Sequence, residues 1–214
     1  MMYKKYFKFS FVLISAILAI NLLYAQQKSD IERANQAYQD GYYNQAIDLY
    51  SKVLALNPNY LPAYYARGSA FLKSKEFGKA VDDYTKVLEK RYDDFSALLG
   101  RAIAYRNLEK YNESLRDLNK ALKLDSTSYE AYYERGNIYY HLEQDNLAIN
   151  DYTQTLKLRP DYALAFYGRA LIYYYKEEKL PAIKDFETFI SLHKDQDTLL
   201  IDATRILKYL KEGE

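Results

Sequence analysis

LPAYYARGSAFLKSKEFGKAVDDYTKVLEKRYDD, residues 61–94, carries two apolar stripes of helical spacing. Ala63, Tyr64, Arg67, Gly68 and Phe71 fall three or four residues apart and mark one face of a first helix. Ala80, Val81, Tyr84, Val87 and Leu88 mark a face of a second. Between them the polar stretch Lys73-Ser74-Lys75-Glu76 predicts a short turn. Gly68 and Ala80 are small where two helix axes have to approach closely.

The same pattern returns on both sides of this stretch. Arg33, Arg67, Arg101, Arg135 and Arg169 are spaced by 34 residues, and each is followed by a small residue: Ala34, Gly68, Ala102, Gly136, Ala170. Ala46, Ala80, Ser114, Ala148 and Ala182 keep the period, as do Tyr50, Tyr84, Leu118, Tyr152 and Phe186, and Leu54, Leu88, Leu122, Leu156 and Ile190. Self-similarity at a fixed period of this length predicts a stack of supersecondary units, none of which can bury its apolar face alone. Five units follow: 27–60, 61–94, 95–128, 129–162 and 163–196. Pro58 and Pro160 end the second helices of their units, and Pro181 falls in a first helical turn, where its missing N–H costs little. In residues 197–214, Leu199, Leu200, Ala203, Ile206, Leu207 and Leu210 form one more stripe, expected to be a helix capping the open apolar end of the stack.

The unit resembles the tetratricopeptide repeat. In 129–162 the places of that family's pattern are held by Tyr132, Arg135-Gly136, Tyr139, Ala148, Tyr152, Thr155 and Pro160. Arg stands in every unit where the family usually has Leu, and the terminal Pro is absent at Tyr92 and Ser126 and from the fifth unit. The resemblance implies an all-α fold: an α-solenoid, a right-handed superhelix of helix-turn-helix repeats with a C-terminal capping helix.

Asp83, Asp117, Asp151 and Asp185 also recur at 34, each sixteen residues after its arginine. A repeated Arg and a repeated Asp at packed positions predict a structural ladder of ion pairs, Arg67 with Asp83, Arg101 with Asp117, Arg135 with Asp151 and Arg169 with Asp185, because the guanidinium fork matches a carboxylate. The first unit has Leu49 in the aspartate position, which leaves Arg33 without that partner.

In the family the first helices line a concave groove. The resemblance implies that Ile31, Asn35 and Tyr38 face it, then Tyr65, Ser69 and Leu72, then Leu99, Ile103 and Arg106, then Tyr133, Asn137 and Tyr140, and last Tyr167, Leu171 and Tyr174. Such a lining is aromatic and weakly polar. Tyrosine gives rigid contact area with a hydroxyl for hydrogen bonding, and Asn35 and Asn137 could meet a peptide backbone. The alternative is that these tyrosines pack on one another, since the chain holds 26. Relatives that grip a C-terminal carboxylate use Lys and Asn, then Asn, then Lys and Arg; here the matching places hold Ile31 and Asn35, Ala66, then Ser96 and Gly100, so a clamp of that kind is not expected.

With 30 Lys and Arg against 29 Asp and Glu, the chain has no field for nucleic-acid phosphates. The absence of Cys removes disulfides, thiol catalysis and a lipidated N-terminal cysteine. His141 and His193 lie on different units, and neither has a second His at a metal-ligand spacing. No phosphate-binding loop or nucleophile elbow occurs. The chain reads as a scaffold for a protein or peptide partner, with no enzymatic activity and no cofactor. The alternative is an accessory subunit of an envelope enzyme or secretion machine, acting through its convex face or terminal helix.

Residues 1–25 begin with Lys4, Lys5 and Lys8 and contain no acidic residue; Phe9 to Ala25 is apolar apart from Ser10, Ser15 and Asn21. This order predicts an export signal, cut after Ala25, and a periplasmic or secreted mature chain. Leu23 is larger than the small residue usual three places before a cut, and the alternative is an uncleaved membrane anchor through residues 1–25.

Overall fold

The computed structural model describes residues 2–213, and of the first twenty residues it describes only the Leu18 side chain. Residues 1–25, read as an export signal, therefore lie largely outside the described side chains. Among the described residues no helix is long and apolar enough to cross a membrane.

Eleven helices are described, and no strand. First helices of 13 residues and second helices of 14 alternate in register with the sequence period: α1 (Met2–Gln39, which continues N-terminally beyond the repeat), α2 (Tyr43–Leu56), α3 (Leu61–Lys73), α4 (Phe77–Lys90), α5 (Phe95–Asn107), α6 (Tyr111–Leu124), α7 (Tyr129–His141), α8 (Asp145–Leu158), α9 (Ala163–Tyr175) and α10 (Lys179–Leu192), followed by α11 (Thr198–Glu212). Two compact units make up the chain, Met1–Ala104 and Tyr105–Glu214, and the division falls within α5.

In the first unit α2 packs on α1 and α3, and α4 on α3. Its core joins Ala34, Ala46, Tyr50, Val53, Ala63 and Ala70. In the second unit neighbouring helices pack in sequence from α6 to α11, and α7 also touches α9. Ala203 and Leu210 of α11 enter one cluster with Ala170, Ala182, Phe186 and Phe189, so α11 covers the apolar face of the last pair.

Each first helix from the first repeat to the fifth ends in the same turn. Its C′ residue is left-handed: Gly41 (φ 82°), then Lys75 (63°), Glu109 (58°), Glu143 (56°) and Glu177 (59°). The next N–H reaches back to the carbonyl five residues earlier, as in Glu76 to Phe71, Gln144 to Tyr139 and Glu178 to Tyr173, each 2.8 Å. This is the Schellman pattern, which glycine satisfies without a Cβ penalty.

The missing prolines have local substitutes. Tyr60 and Tyr162, two residues after Pro58 and Pro160, offer no side-chain cap to α3 and α9. Where Tyr92 and Ser126 replace proline, the corresponding residues do cap: Asp94 accepts from the Ala97 N–H at 3.0 Å and Ser128 from the Ala131 N–H at 3.1 Å. A proline-stiffened loop and a capped helix start are interchangeable solutions here.

A left-handed non-glycine residue costs about 1–2 kcal/mol, and glycine's greater unfolded-state entropy returns about half of any gain. Glu143→Gly and Glu177→Gly are each expected to stabilise the fold by about 0.5–1 kcal/mol, read as a higher urea midpoint. A lowered midpoint would show that these turns carry no strain.

Candidate functional site

Three of the expected ion pairs are two-pronged. Arg67 donates from Nε and Nη2 to Asp83 at 2.7 and 2.8 Å, and Arg135 to Asp151 and Arg169 to Asp185 at 2.7 and 2.9 Å. The remaining Nη1 turns to the preceding second helix: Arg67 to Ser51 (2.9 Å), Arg101 to Thr85 (3.1 Å), Arg135 to Asn119 (2.7 Å) and Arg169 to Thr153 (2.9 Å). These acceptors also recur at 34, a signal that the sequence reading missed. The guanidinium is flanked by rings as well, Arg67 by Tyr64 and Phe71 and Arg135 by Tyr132 and Tyr139, all within 6 Å. The aspartates, Asp117 included, are buried. Arg33 is not left alone by Leu49: it is 59% exposed and pairs along its own helix with buried Asp30, 3.3 Å away.

The expected groove residues Asn35, Ser69 and Asn137 already serve the core. Tyr50 donates its hydroxyl to Asn35 Oδ1 (2.6 Å), Tyr152 to Asn137 Oδ1 (2.8 Å), and Tyr84 shares a hydrogen bond with Ser69 (3.0 Å). Where the second helix has Leu118 or Phe186, with no hydroxyl to satisfy, the same first-helix position holds Ile103 or Leu171. A buried hydroxyl and its acceptor thus appear or vanish together, as the cost of an unmade hydrogen bond requires. The rings need space too. A Cβ on Gly100 would lie 2.4 Å from the Tyr84 ring, and one on Gly168 would lie 2.7 Å from that of Tyr152.

Glu134 occupies the position of Gly100 and Gly168, one unit after the Leu that replaces Tyr. In this register a carboxylate therefore stands where the other two repeats have glycine, and Arg106 Nε lies 2.9 Å from Glu134 Oε2, with side chains 27% and 14% exposed. Burial raises the Glu134 pKa above the ordinary range, while Arg106 and a hydrogen bond from Asn137 pull it back. Arg106, Tyr133 and Asn137 are thereby brought together around a residue that sequence reasoning did not single out. Only the joint loss of Tyr at 118 and of a small residue at 134 could have revealed it.

The other expected groove residues divide. Tyr133 packs on Tyr162 with ring centroids 5.0 Å apart, and burial raises its pKa. Tyr167 packs on Phe189 at 5.0 Å. Leu99, Tyr140 and Tyr174 are half-buried, and Tyr65 is 38% exposed. Tyr65 borders a cavity of about 290 Å³ with Leu61, Pro62, Val87, Arg91 and Ser96. Tyr174 borders one of about 500 Å³ at the last pair. His141 stacks on Tyr111, and His193 stacks on Phe189 beside Asp197.

Paired helices tied by a periodic polar ladder define a helical-hairpin repeat scaffold. A tetratricopeptide-repeat model matches residues 31–95, and a second model of the same repeat matches 103–143 and 136–176. This chain is a tandem tetratricopeptide-repeat protein. No curated protein sequence matches it. Among solved structures it is similar to pilF of Pseudomonas aeruginosa (18% identity, 89% of this chain and 87% of that one, TM-score 0.75). It is also similar to MamA from Desulfovibrio magneticus RS-1 (20%, 81% and 98%, 0.72). A third is YrrB, described as a tetratricopeptide-repeat protein with an unusual peptide-binding site (23%, 82% and 90%, 0.64). At these identities the likeness is one of fold.

Two outcomes test the polar framework. Arg135→Met and Asp151→Leu are each expected to cost about 3 kcal/mol by stranding the partner, with the double variant costing at least about 1 kcal/mol less than their sum. Simple additivity in thermal melts would reject the coupling. The Glu134 carboxyl is expected to titrate above the ordinary glutamate range by carbon-detected NMR, and Arg106→Leu to raise it further. Since the folded-state pKa is raised, the stability lost to ionising Glu134 appears as pH rises through that pKa.

Proposed function

We propose that this protein is an exported scaffold that binds a protein or peptide segment along the first-helix faces of its repeats, in a tyrosine-rich groove. The observation that carries this reading is the division of the tyrosines. Tyr50, Tyr84 and Tyr152 are sealed in the core with their hydroxyls occupied, whereas Tyr65 stands partly exposed on a first helix, where it borders a cavity with Leu61 and Pro62. Within the second unit, Tyr140 and Tyr174 are likewise half-exposed on first helices. Rigid amphipathic side chains of this kind anchor a segment at low entropic cost. The peptide-binding site ascribed to YrrB supports the same use of the fold. Asn35 would meet a backbone through its amide N–H group, since its carbonyl oxygen already accepts from Tyr50, whereas the Asn137 amide already serves both Tyr152 and Glu134.

Peptides selected from a display library on the full chain provide the test. Tyr65→Ala and Tyr140→Ala are each expected to weaken the selected peptides about tenfold. Unchanged affinity in both variants would overturn the groove. Export rests on the basic and then apolar order of residues 1–25. It predicts a mature mass beginning at Gln26, and a mass that still includes Met1 would contradict the cut.

A further inference from the structure

The cavity of about 500 Å³ at the last pair is walled by Tyr174, Tyr175 and Tyr209, with Glu177, Lys179 and Gly213 also lining it. The Tyr174 and Tyr209 rings stand nearly perpendicular, at 87° and 6.4 Å between centroids, and Tyr175 lies 5.4 Å from Tyr174. Tyr175 and Tyr209 remain 68% and 51% exposed, although α11 covers the apolar face beside them. Two helices end here, α9 at Tyr175 and α11 at Glu212, where left-handed Gly213 follows.

Every strong feature of this corner except one favours positive charge. Tyrosine faces are the negative side of the ring quadrupole. Helix C-termini carry partial negative charge. Glu177 adds a carboxylate. Neighbouring ammonium groups are held elsewhere: Lys176 lies near Glu178 (3.5 Å), Lys208 near Glu212 (3.8 Å) and Lys211 against Glu187 (2.6 Å). The exception is Lys179, which lines the cavity and competes with any cation entering it.

We propose that this corner receives a basic side chain, Lys or Arg, of the bound polypeptide. The alkyl stem lies along the tyrosine rings, and the cationic head takes the ring faces and the Glu177 carboxylate. The inference rests on the segment-binding reading above and adds the charge of the segment at this end.

The test uses the full chain with fluorinated tyrosines and two small probes, Nα-acetyl-lysine methylamide and its neutral isostere Nα-acetyl-norleucine methylamide. The lysine probe is expected to shift the Tyr174, Tyr175 and Tyr209 signals and to bind about threefold or more tightly than norleucine. Glu177→Gln, on an exposed turn, is expected to weaken the lysine probe about threefold, and Lys179→Ala to strengthen it. Equal shifts by both probes would make the corner merely apolar, and no shift at these rings would remove the site; either result overturns the proposal. The probes need no contact with Tyr65 or Tyr140. A failure of the groove therefore shows in the selected peptides alone, and a failure of the corner shows in the amide titrations alone.

Discussion

A guanidinium that satisfies three acceptors at once fixes where three helices meet. Arg67 on α3 holds Asp83 on α4 with two nitrogens and Ser51 on α2 with the third. Arg135 and Arg169 do the same with Asp151 and Asn119, and with Asp185 and Thr153. The first two bonds set the geometry within a helix pair, and the third sets the step from the pair before. Lysine could not replace it, because a point charge has no planar fork to divide between two directions. The ion pair is largely buried, and the cost of removing both charges from water offsets much of their attraction, so its contribution is more to geometry than to net stability.

Much of this was legible because the chain carries five versions of one unit. The Arg and Asp positions were readable from the period alone, and α11 was readable from its stripe. The acceptors Ser51, Thr85, Asn119 and Thr153 share the period but not a residue type, so only their common ability to accept a hydrogen bond identifies them. The dual service of Asn35, Ser69 and Asn137 was hidden for a different reason. A polar residue on a helix face looks the same in sequence whether it meets a ligand or a buried hydroxyl. Glu134 was the least accessible, since its burial depends on a missing ring sixteen residues earlier. The turn residues Glu109, Glu143 and Glu177 gave no warning of a left-handed backbone, because that conformation is imposed by the helix pair and not by their own preference.

The abundance of tyrosine has two physical sources. One group fills the space between first and second helices, where a ring reaches from one axis to the next and its hydroxyl must find a partner. The other lies partly in water along first helices and at the end of the last pair, where part of the ring packs on the core, as Tyr65 does on Tyr84, and the rest meets solvent. That second group occurs in both units: Tyr24, Tyr38 and Tyr65 on first helices of one, and Tyr140, Tyr174, Tyr175 and Tyr209 in the other.

The fit of ring to glycine has a consequence for lineage. Tyr84 requires the glycine at 100 and Tyr152 the glycine at 168, each supplied by the following repeat, while Leu118 is followed by Glu134 in the same register. A tyrosine-bearing repeat placed ahead of the Glu134 repeat would drive its ring into a carboxylate side chain. A leucine-bearing repeat placed ahead of Gly168 would leave a void. The repeats are therefore not interchangeable beads. Tyr84 and Tyr152 each carry a lock for the repeat that follows, whereas Tyr50 is followed by Ala66 in that register, so duplication or shuffling of a unit has to be repaired at the borders where a ring meets a glycine.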